Sequence, residues 1–501
     1  MLSSIKRAIS VNVVISILCV FFTQVVYAEF ELKNSVVNII NYSTIYNYAA
    51  PWQTPTQEPA KTGTGFIIEG RKIITNAHVA ENGSFIQVRL AGNDKKYVAK
   101  LEIIDHTCDL AILSIEDDEF WINTIPLRIS DRLPELREKV MALGFPIGGR
   151  EFTVTEGIIS RIEMISYVAA GGFGSMPAAQ IDASTWPGSS GGPVISLSTG
   201  EVVGVTHQGA TGLNINYTIP ATVVRHFLND ANTGNYKGFV HLPIKTQKME
   251  NSVMRKEYGM TDSENGVLVN WVHSDFSKMS GLKVDDVILS LNSYNVSNDG
   301  NITLDSGNRV SALHAVSEVY YGDVLKVVVL RKGEKKTLNI VMNVKREDVT
   351  KVDLLPYDKQ PDYYIYSGVV FQDLSVNFLR FWGKDWGYVA PIPFLNSFYN
   401  EDKDTVSDRV VIINSILAND LTSGYQSINS KTVTEINGKK INNLSDVINA
   451  IEQHKGATHT IIFDKNYKII IKNISLEENK EIMLKHKISS DRSAKFENLK
   501  V

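Results

Sequence analysis

Cysteine is almost missing from this chain. There are two in 501 residues, Cys19 and Cys108. Cys19 falls in a leading stretch that reads as removable, which leaves one thiol and no intrachain disulfide. The fold must therefore rest on packing alone, and Cys108 is expected as a small core residue rather than a nucleophile. The ten histidines show no metal-ligand spacing and there is no cysteine cluster, so no metal is expected. No glycine-rich loop of the phosphate-cradling kind occurs, so neither a nucleotide nor any other cofactor is expected. Positive charge is not concentrated anywhere. With 51 Lys and Arg against 55 Asp and Glu the net charge is −4, which removes the electrostatic case for nucleic acid. The one long apolar run lies at the start, from Val11 to Phe22 behind Lys6 and Arg7. It is shorter than the ~20 residues that span a bilayer comfortably. With the small residue Ala28 at its far edge, the segment 1–28 reads as a cleaved signal peptide, and the product as periplasmic or secreted.

What is present is ample core material, 43% hydrophobic residues, enough for two to four cores. From about residue 30 to 230 the apolar runs are short and broken by Gly, Asn and Asp. Examples are Gly65-Phe-Ile-Ile68, Val140-Met-Ala-Leu-Gly144 and Glu201-Val-Val-Gly-Val-Thr206. Many short strands without long helical periods predict an all-β barrel domain. Ala221 to Leu228, after Pro220, carries helical spacing, and Asn232 to Gly238 is a turn-rich linker. A weak repeat follows. Ser290-Leu-Asn-Ser-Tyr-Asn-Val296 and Glu435-Ile-Asn-Gly-Lys-Lys-Ile441 each take a strand into a tight turn and out again. Leu444, Val447, Ile448 and Ile451 form one apolar helical face behind the second copy.

The chemistry concentrates in Gly188-Ser-Ser-Gly-Gly-Pro193. Glycines there permit the unusual backbone angles that aim N–H groups at a developing oxyanion while exposing one hydroxyl. Ser190 is the expected nucleophile. The backbones of Gly188 and Ser190 are the expected oxyanion hole, with Ser189 between them as a third candidate. A serine hydroxyl needs an imidazole to take its proton. His78 supplies one at the end of the apolar run Ile73-Ile74. Asp109 abuts the run Leu110-Ala-Ile-Leu113 and is the expected partner of that imidazole, with Asp105 as its competitor. His, Asp, Ser is the chain order of the chymotrypsin class.

The segments "TGTGFII", "TNAHV", "CDLAIL" and "GSSGGP" resemble the Deg/HtrA serine proteases. The resemblance implies a mainly β fold: a chymotrypsin-like double β-barrel protease domain with the triad in the crevice, followed by two PDZ-like α+β domains. The family usually reads GNSGGP, so Ser189 departs by one conservative step. Where trypsin carries its selecting acid, six positions before the nucleophile, this chain has Ser184, and an apolar cleavage-site residue is expected. Thr206, His207 and Gln208 lie where the family runs an edge strand beside the pocket and are the expected substrate-binding residues, the alternative being a structural strand that simply continues into a loop. The Asn-centred repeats resemble PDZ domains, and "QKMEN", "NDG" and Tyr363 to Phe371 are similar to the plant-type Deg subgroup. The implied layout is a protease domain over 29–237, a first PDZ domain over 238–350, a degenerate second over 351–480, and a disordered tail over 481–501. The loop His241-Leu-Pro243 departs from a PDZ carboxylate-binding loop, because Pro243 has no N–H to donate. By resemblance the protein is an ATP-independent serine endopeptidase acting on unfolded or misfolded polypeptides. The resemblance also implies a homotrimer or a multiple of trimers such as a hexamer, with Phe30, Tyr42, Tyr46 and Tyr48 as contact candidates, the tyrosines having ordinary core positions as the alternative. A proteolytically silent scaffold of the same fold is the alternative.

Overall fold

The computed structural model describes residues 32–146, 152–167, 174–210 and 215–499, apart from 355–356, 358, 384, 401, 404–406, 465–466 and 498. The signal-peptide reading and Phe30 lie outside the described residues. The chain forms two compact units. One holds the residues up to Tyr42, Pro59–Ile165 and Pro177–Tyr236; the other holds Ser43–Glu58, Ser166–Met176 and the chain from Lys237 onward. The division at Tyr236 falls inside the linker read from the sequence, whereas the segments 43–58 and 166–176 leave the protease unit that the sequence assigned them to.

The first unit is two six-stranded barrels. The strands of one are β1 (Val36–Ile45), β3 (Lys61–Ile68), β4 (Lys72–Thr75), β5 (Gly83–Leu90), β6 (Tyr97–Asp105) and β7 (Leu110–Ser114), while β2 (Thr56–Gln57) extends the far end of β1 within the second unit. They run in the order β1-β3-β4-β7-β6-β5, and β5 returns to β1 to close the barrel. Closure leaves no exposed edge among these strands. Its interior is filled by Val37, Ile39, Ile67, Ile73, Val88, Leu113 and Phe120. The other barrel contains β8 (Lys139–Gly144), β9 (Thr153–Ile165), β10 (Met176–Ile181), β11 (Pro193–Ser196), β12 (Val202–Ala210) and β13 (Ile215–Pro220), closed in the order β10-β13-β12-β11-β8-β9. The expected helix runs Ala221–Ala231 and buries Val223, Val224 and Phe227 against β12 and β13. Cys108 is a free, buried thiol.

Among the described residues the second unit contains two large sheets and a two-stranded ribbon, Asn301–Thr303 with Arg309–Ser311. One includes Ile244–Lys248, Val267–Val272, Val287–Leu291, Val324–Arg331 and Glu334–Val341. The other includes Tyr363–Tyr366, Val369–Asp373, Val411–Ile416, Lys431–Ile436, Thr458–Phe463 and Tyr467–Lys472, with helix Leu444–Glu452 on its core. The two repeat asparagines take the same conformation, φ 50° at Asn292 and 53° at Asn437, each opening a two-residue hairpin turn. Three short helices, Val376–Leu379, Trp386–Val389 and Ile392–Asn400, interrupt the second sheet's connection, and nothing in the sequence reading anticipated them.

The tail reading needs correction. Leu476–Lys485 is helical, Ile365 donates to the Asp491 carbonyl, and Ile482, Met483, Ile488 and Phe496 are buried. Residues 481–497 are therefore packed structure, held by apolar side chains set among charged neighbours. Tyr48, a trimer-contact candidate, packs with Val352, Phe378, Phe394 and Ile412 in this second unit, and its main-chain oxygen accepts from Asn414. Among the described residues no helix is long and apolar enough to cross a membrane.

Candidate active site

Pairing of β4 with β7 sets Thr75 opposite Ala111, so the residues just beyond β4 and just before β7 are neighbours. Buried Asn76 ties the junction by donating from Nδ2 to the Asp109 carbonyl at 3.0 Å. His78 follows in a single helical turn, Ala77–Ala80. Asp109 adopts φ 53°, a left-handed backbone that a non-glycine residue holds only where its surroundings fix it. That geometry sends its carboxylate to His78. Oδ1 accepts from the His78 main-chain N–H at 2.9 Å, and Oδ2 lies 2.7 Å from the ring Nδ1. Asp105, the competitor, instead accepts from Thr107 N–H and the Tyr236 hydroxyl.

The Ser190 loop comes from the other barrel and docks on β3. Thr64 donates its N–H to the Ser190 carbonyl at 2.9 Å and its Oγ1 to the Gly188 carbonyl at 2.8 Å, and accepts from Phe145 N–H. Gly188 takes φ 98° and Gly191 φ 85°; a Cβ on Gly191 would lie 2.2 Å from the Thr64 carbonyl oxygen. Only glycine fits there. Gly191 N–H donates to Thr206 and Gly192 N–H to Ser189, while the Gly188 and Ser190 amides have no acceptor among the described residues. The Ser189 amide is engaged by the Trp186 carbonyl at 2.9 Å, which removes Ser189 from the candidate oxyanion donors. Ser190 Oγ donates to the His207 carbonyl at 3.2 Å; no hydrogen bond joins it to His78.

His207 is the residue whose role the sequence misread. At a bulge in β12, between Thr206 and Gln208, its ring turns inward and its Nδ1 lies 2.7 Å from Asp109 Oδ2. Its side chain is 0% exposed, against 29% for His78 and 1% for Asp109. Thr206 is also buried, and its main chain is engaged by Gly191 and Gly192. Of the three expected substrate-binding side chains, only half-buried Gln208 reaches the surface.

The charges follow from this geometry. Burial alone would raise the Asp109 pKa, but the His78 charge and the hydrogen bonds from His207 and His78 outweigh it, holding the carboxyl well below its usual range. For His78, burial disfavours the imidazolium, yet the charge and hydrogen bond of Asp109 prevail and its pKa is raised. His78, Asp109 and His207 place one ligand atom each within 4.8 Å of the others. Both Nδ1 atoms, however, sit at hydrogen-bonding distance from the same carboxylate oxygen, so the cluster is already joined by its own hydrogen bonds.

Residues 63–205 match the trypsin-like peptidase domain, and 352–495 match the PDZ domain. Protease Do-like 2, chloroplastic, of Arabidopsis thaliana is 34% identical over 471 residues, covering 92% of this chain and 75% of that protein. The chain belongs to the Do-like (HtrA) serine proteases. The putative protease Do-like 3, mitochondrial, from the same plant is 32% identical across 93% of this chain and 81% of its own length. A serine protease DegP homolog of Plasmodium falciparum is 27% identical over 81% of this chain and 57% of its own. This Do-like protease is thus a serine endopeptidase acting on polypeptides, built mainly of β structure with a PDZ domain behind its barrels. Thr64 is the site residue that sequence reasoning missed, and His207 the one whose role it misread. The hydroxyl in "TGTGF" was a visible signal for Thr64, while the inward turn of His207 left none.

Proposed function

We propose that this protease cleaves unfolded or damaged proteins through an acyl-enzyme, with Ser190 as nucleophile, His78 as proton relay and Asp109 as the group orienting His78. The observation supporting it is the Asp109 carboxylate, which holds both the main chain and Nδ1 of His78 and so leaves Nε2 with its lone pair. For attack, the Ser190 hydroxyl leaves the His207 carbonyl and turns to His78 Nε2. Its oxygen bonds to the scissile carbonyl carbon as its proton passes to Nε2, and the oxyanion is held by the Gly188 and Ser190 amides. Collapse breaks the C–N bond, and Nε2 returns the proton to the leaving amine. Water then repeats the sequence and frees Ser190. Removing one oxyanion donor typically raises the barrier by about 2.7–4 kcal/mol.

ATP-independence is supported by the lack of any phosphate-cradling loop in the sequence. In the first PDZ-like region, the His241 N–H is engaged by the Val344 carbonyl and the Ile244 N–H by that of Leu242, and Pro243 has none. A role in assembly or gating therefore suits this region better than capture of a C-terminal carboxylate. Assembly as a trimer or a multiple of trimers remains part of this proposal. So does a cleaved targeting segment at 1–28. Relatives named for chloroplast and mitochondrion argue for an organelle destination over the periplasm. No observation favours the silent scaffold. The deciding experiment is casein digestion by the wild type and Ser190→Ala: cleavage by the first alone is expected, and no cleavage by either overturns the proposal.

A further inference from the structure

His207 touches two members of the proposed triad at once. Its ring Nδ1 meets Asp109 Oδ2 at 2.7 Å, and its main-chain oxygen accepts from Ser190 Oγ at 3.2 Å. Next to it, Thr206 exchanges main-chain hydrogen bonds with Gly191 and Gly192 at 2.9 and 2.8 Å. One bulged pair of residues therefore fastens the serine loop and the carboxylate to each other. The bulge is the cause: the register of β12 against β13 slips between Thr206 and Gln208, and the extra residue between them turns its side chain to the Asp109 carboxylate of the other barrel.

From this geometry we infer that His207 is a positioning residue of the proteolytic reaction, a second imidazole that anchors the Asp109 carboxylate and sets how much of its charge reaches His78. The inference rests on the roles given above to Asp109 and His78. Asp109 without His207 retains both bonds to His78 but loses the only other side chain that, among the described residues, is hydrogen-bonded to Oδ2. Its position is then fixed by the very residue it must orient. With His207 in place the carboxylate has an anchor on the second barrel, and the His78 ring turns against a fixed point. The electrostatic consequence has a definite sign. An N–H donated to the carboxylate draws off part of its charge. Removing that donor leaves more charge facing His78, which favours the imidazolium and raises the His78 pKa. The other charged groups facing His78 are Glu81 and Lys61, with His106 beside Glu81, and none of these changes with His207.

The test uses the full-length chain with two substitutions. His207→Leu fills much of the same space without a donor. His207→Asn places an amide N–H at the position of Nδ1. Expected for His207→Leu is a fall in kcat of about tenfold or more with little change in KM. The acid limb of kcat/KM should also move up by about half a pH unit. His207→Asn is expected to restore both to near wild type. A purely packing role would lower activity in both variants and leave the acid limb in place, and would overturn the inference. So would a His207→Leu variant with unaltered kcat and pH profile. If His207→Leu does not fold, His207→Ala takes its place with the same criteria. A wild type that does not cleave casein removes the triad assignment, and this inference with it. An active wild type beside an unaffected His207→Leu removes this inference alone.

Discussion

Asp109→Asn is the substitution whose effect the structure specifies most closely. Three N–H groups converge on the Asp109 carboxylate: the His78 main chain on Oδ1 at 2.9 Å, and the rings of His78 and His207 on Oδ2, each at 2.7 Å. An amide offers one oxygen and one NH2, so it must oppose at least one donor. With NH2 on the Oδ1 side it meets a main-chain N–H that cannot change its proton. With NH2 on the Oδ2 side it meets two rings that can, by moving their protons from Nδ1 to Nε2. The second arrangement prevails. It leaves His78 with Nε2 protonated and no lone pair for Ser190. The expected loss is about 10⁴-fold in kcat, or ~5.4 kcal/mol at 1.36 kcal/mol per tenfold. The assay is steady-state cleavage of a fluorogenic peptide at pH 7–8, with thermal unfolding of both proteins to separate chemistry from folding. A folded Asp109→Asn protein within tenfold of wild-type kcat would refute the reasoning, because the tautomer would then not depend on this carboxylate.

Three further outcomes follow from other parts of the molecule. The raised pKa of His78 puts the half-point of the acid limb of kcat/KM above the ordinary 6.5, since the ring acts as base only when neutral; a half-point at or below that value contradicts it. Gly191→Ala forces a Cβ to 2.2 Å from the Thr64 carbonyl oxygen at φ 85°. It should cost ~2 kcal/mol or more of stability and most activity, and an unchanged melting temperature with full casein cleavage would show that the serine loop is not docked on β3. Ending the chain before Ile482 removes Ile482, Met483, Ile488 and Phe496 from the core, at ~1.5–3 kcal/mol for each fully buried side chain. Hydrogen exchange across Tyr363–Asp373 should accelerate strongly in that truncation, and protection equal to the full chain would restore the disordered-tail reading.

What could be read from the sequence was what short range determines. The catalytic candidates stand at strand ends or in a glycine turn, and each carries its signal within about six residues. The barrels showed in the short broken runs, and the two Asn turns in their local spacing. The helix Leu444–Glu452 was legible because four apolar residues share a face. What stayed hidden depends on distant partners. The inward turn of His207 comes from a one-residue register slip, and such a slip exchanges the two faces of a strand without altering its composition. The segment Ser43–Glu58 joins the second unit through residues more than 300 positions away, as in the Asn414 contact with Tyr48. The tail read as disordered because its few apolar residues are sparse among charges, and only their shared packing partners reveal a fold.

In the proposed mechanism the Ser190 hydroxyl becomes a nucleophile in the presence of His78 and Asp109. The most direct measurement is labelling of the full-length protein with a fluorophosphonate probe, followed by mapping of the modified residue by mass spectrometry. A single adduct on Ser190 is expected, lost in His78→Ala although the serine is still there. No adduct at Ser190 in protein that is cleaving casein, or undiminished labelling without His78, would contradict it.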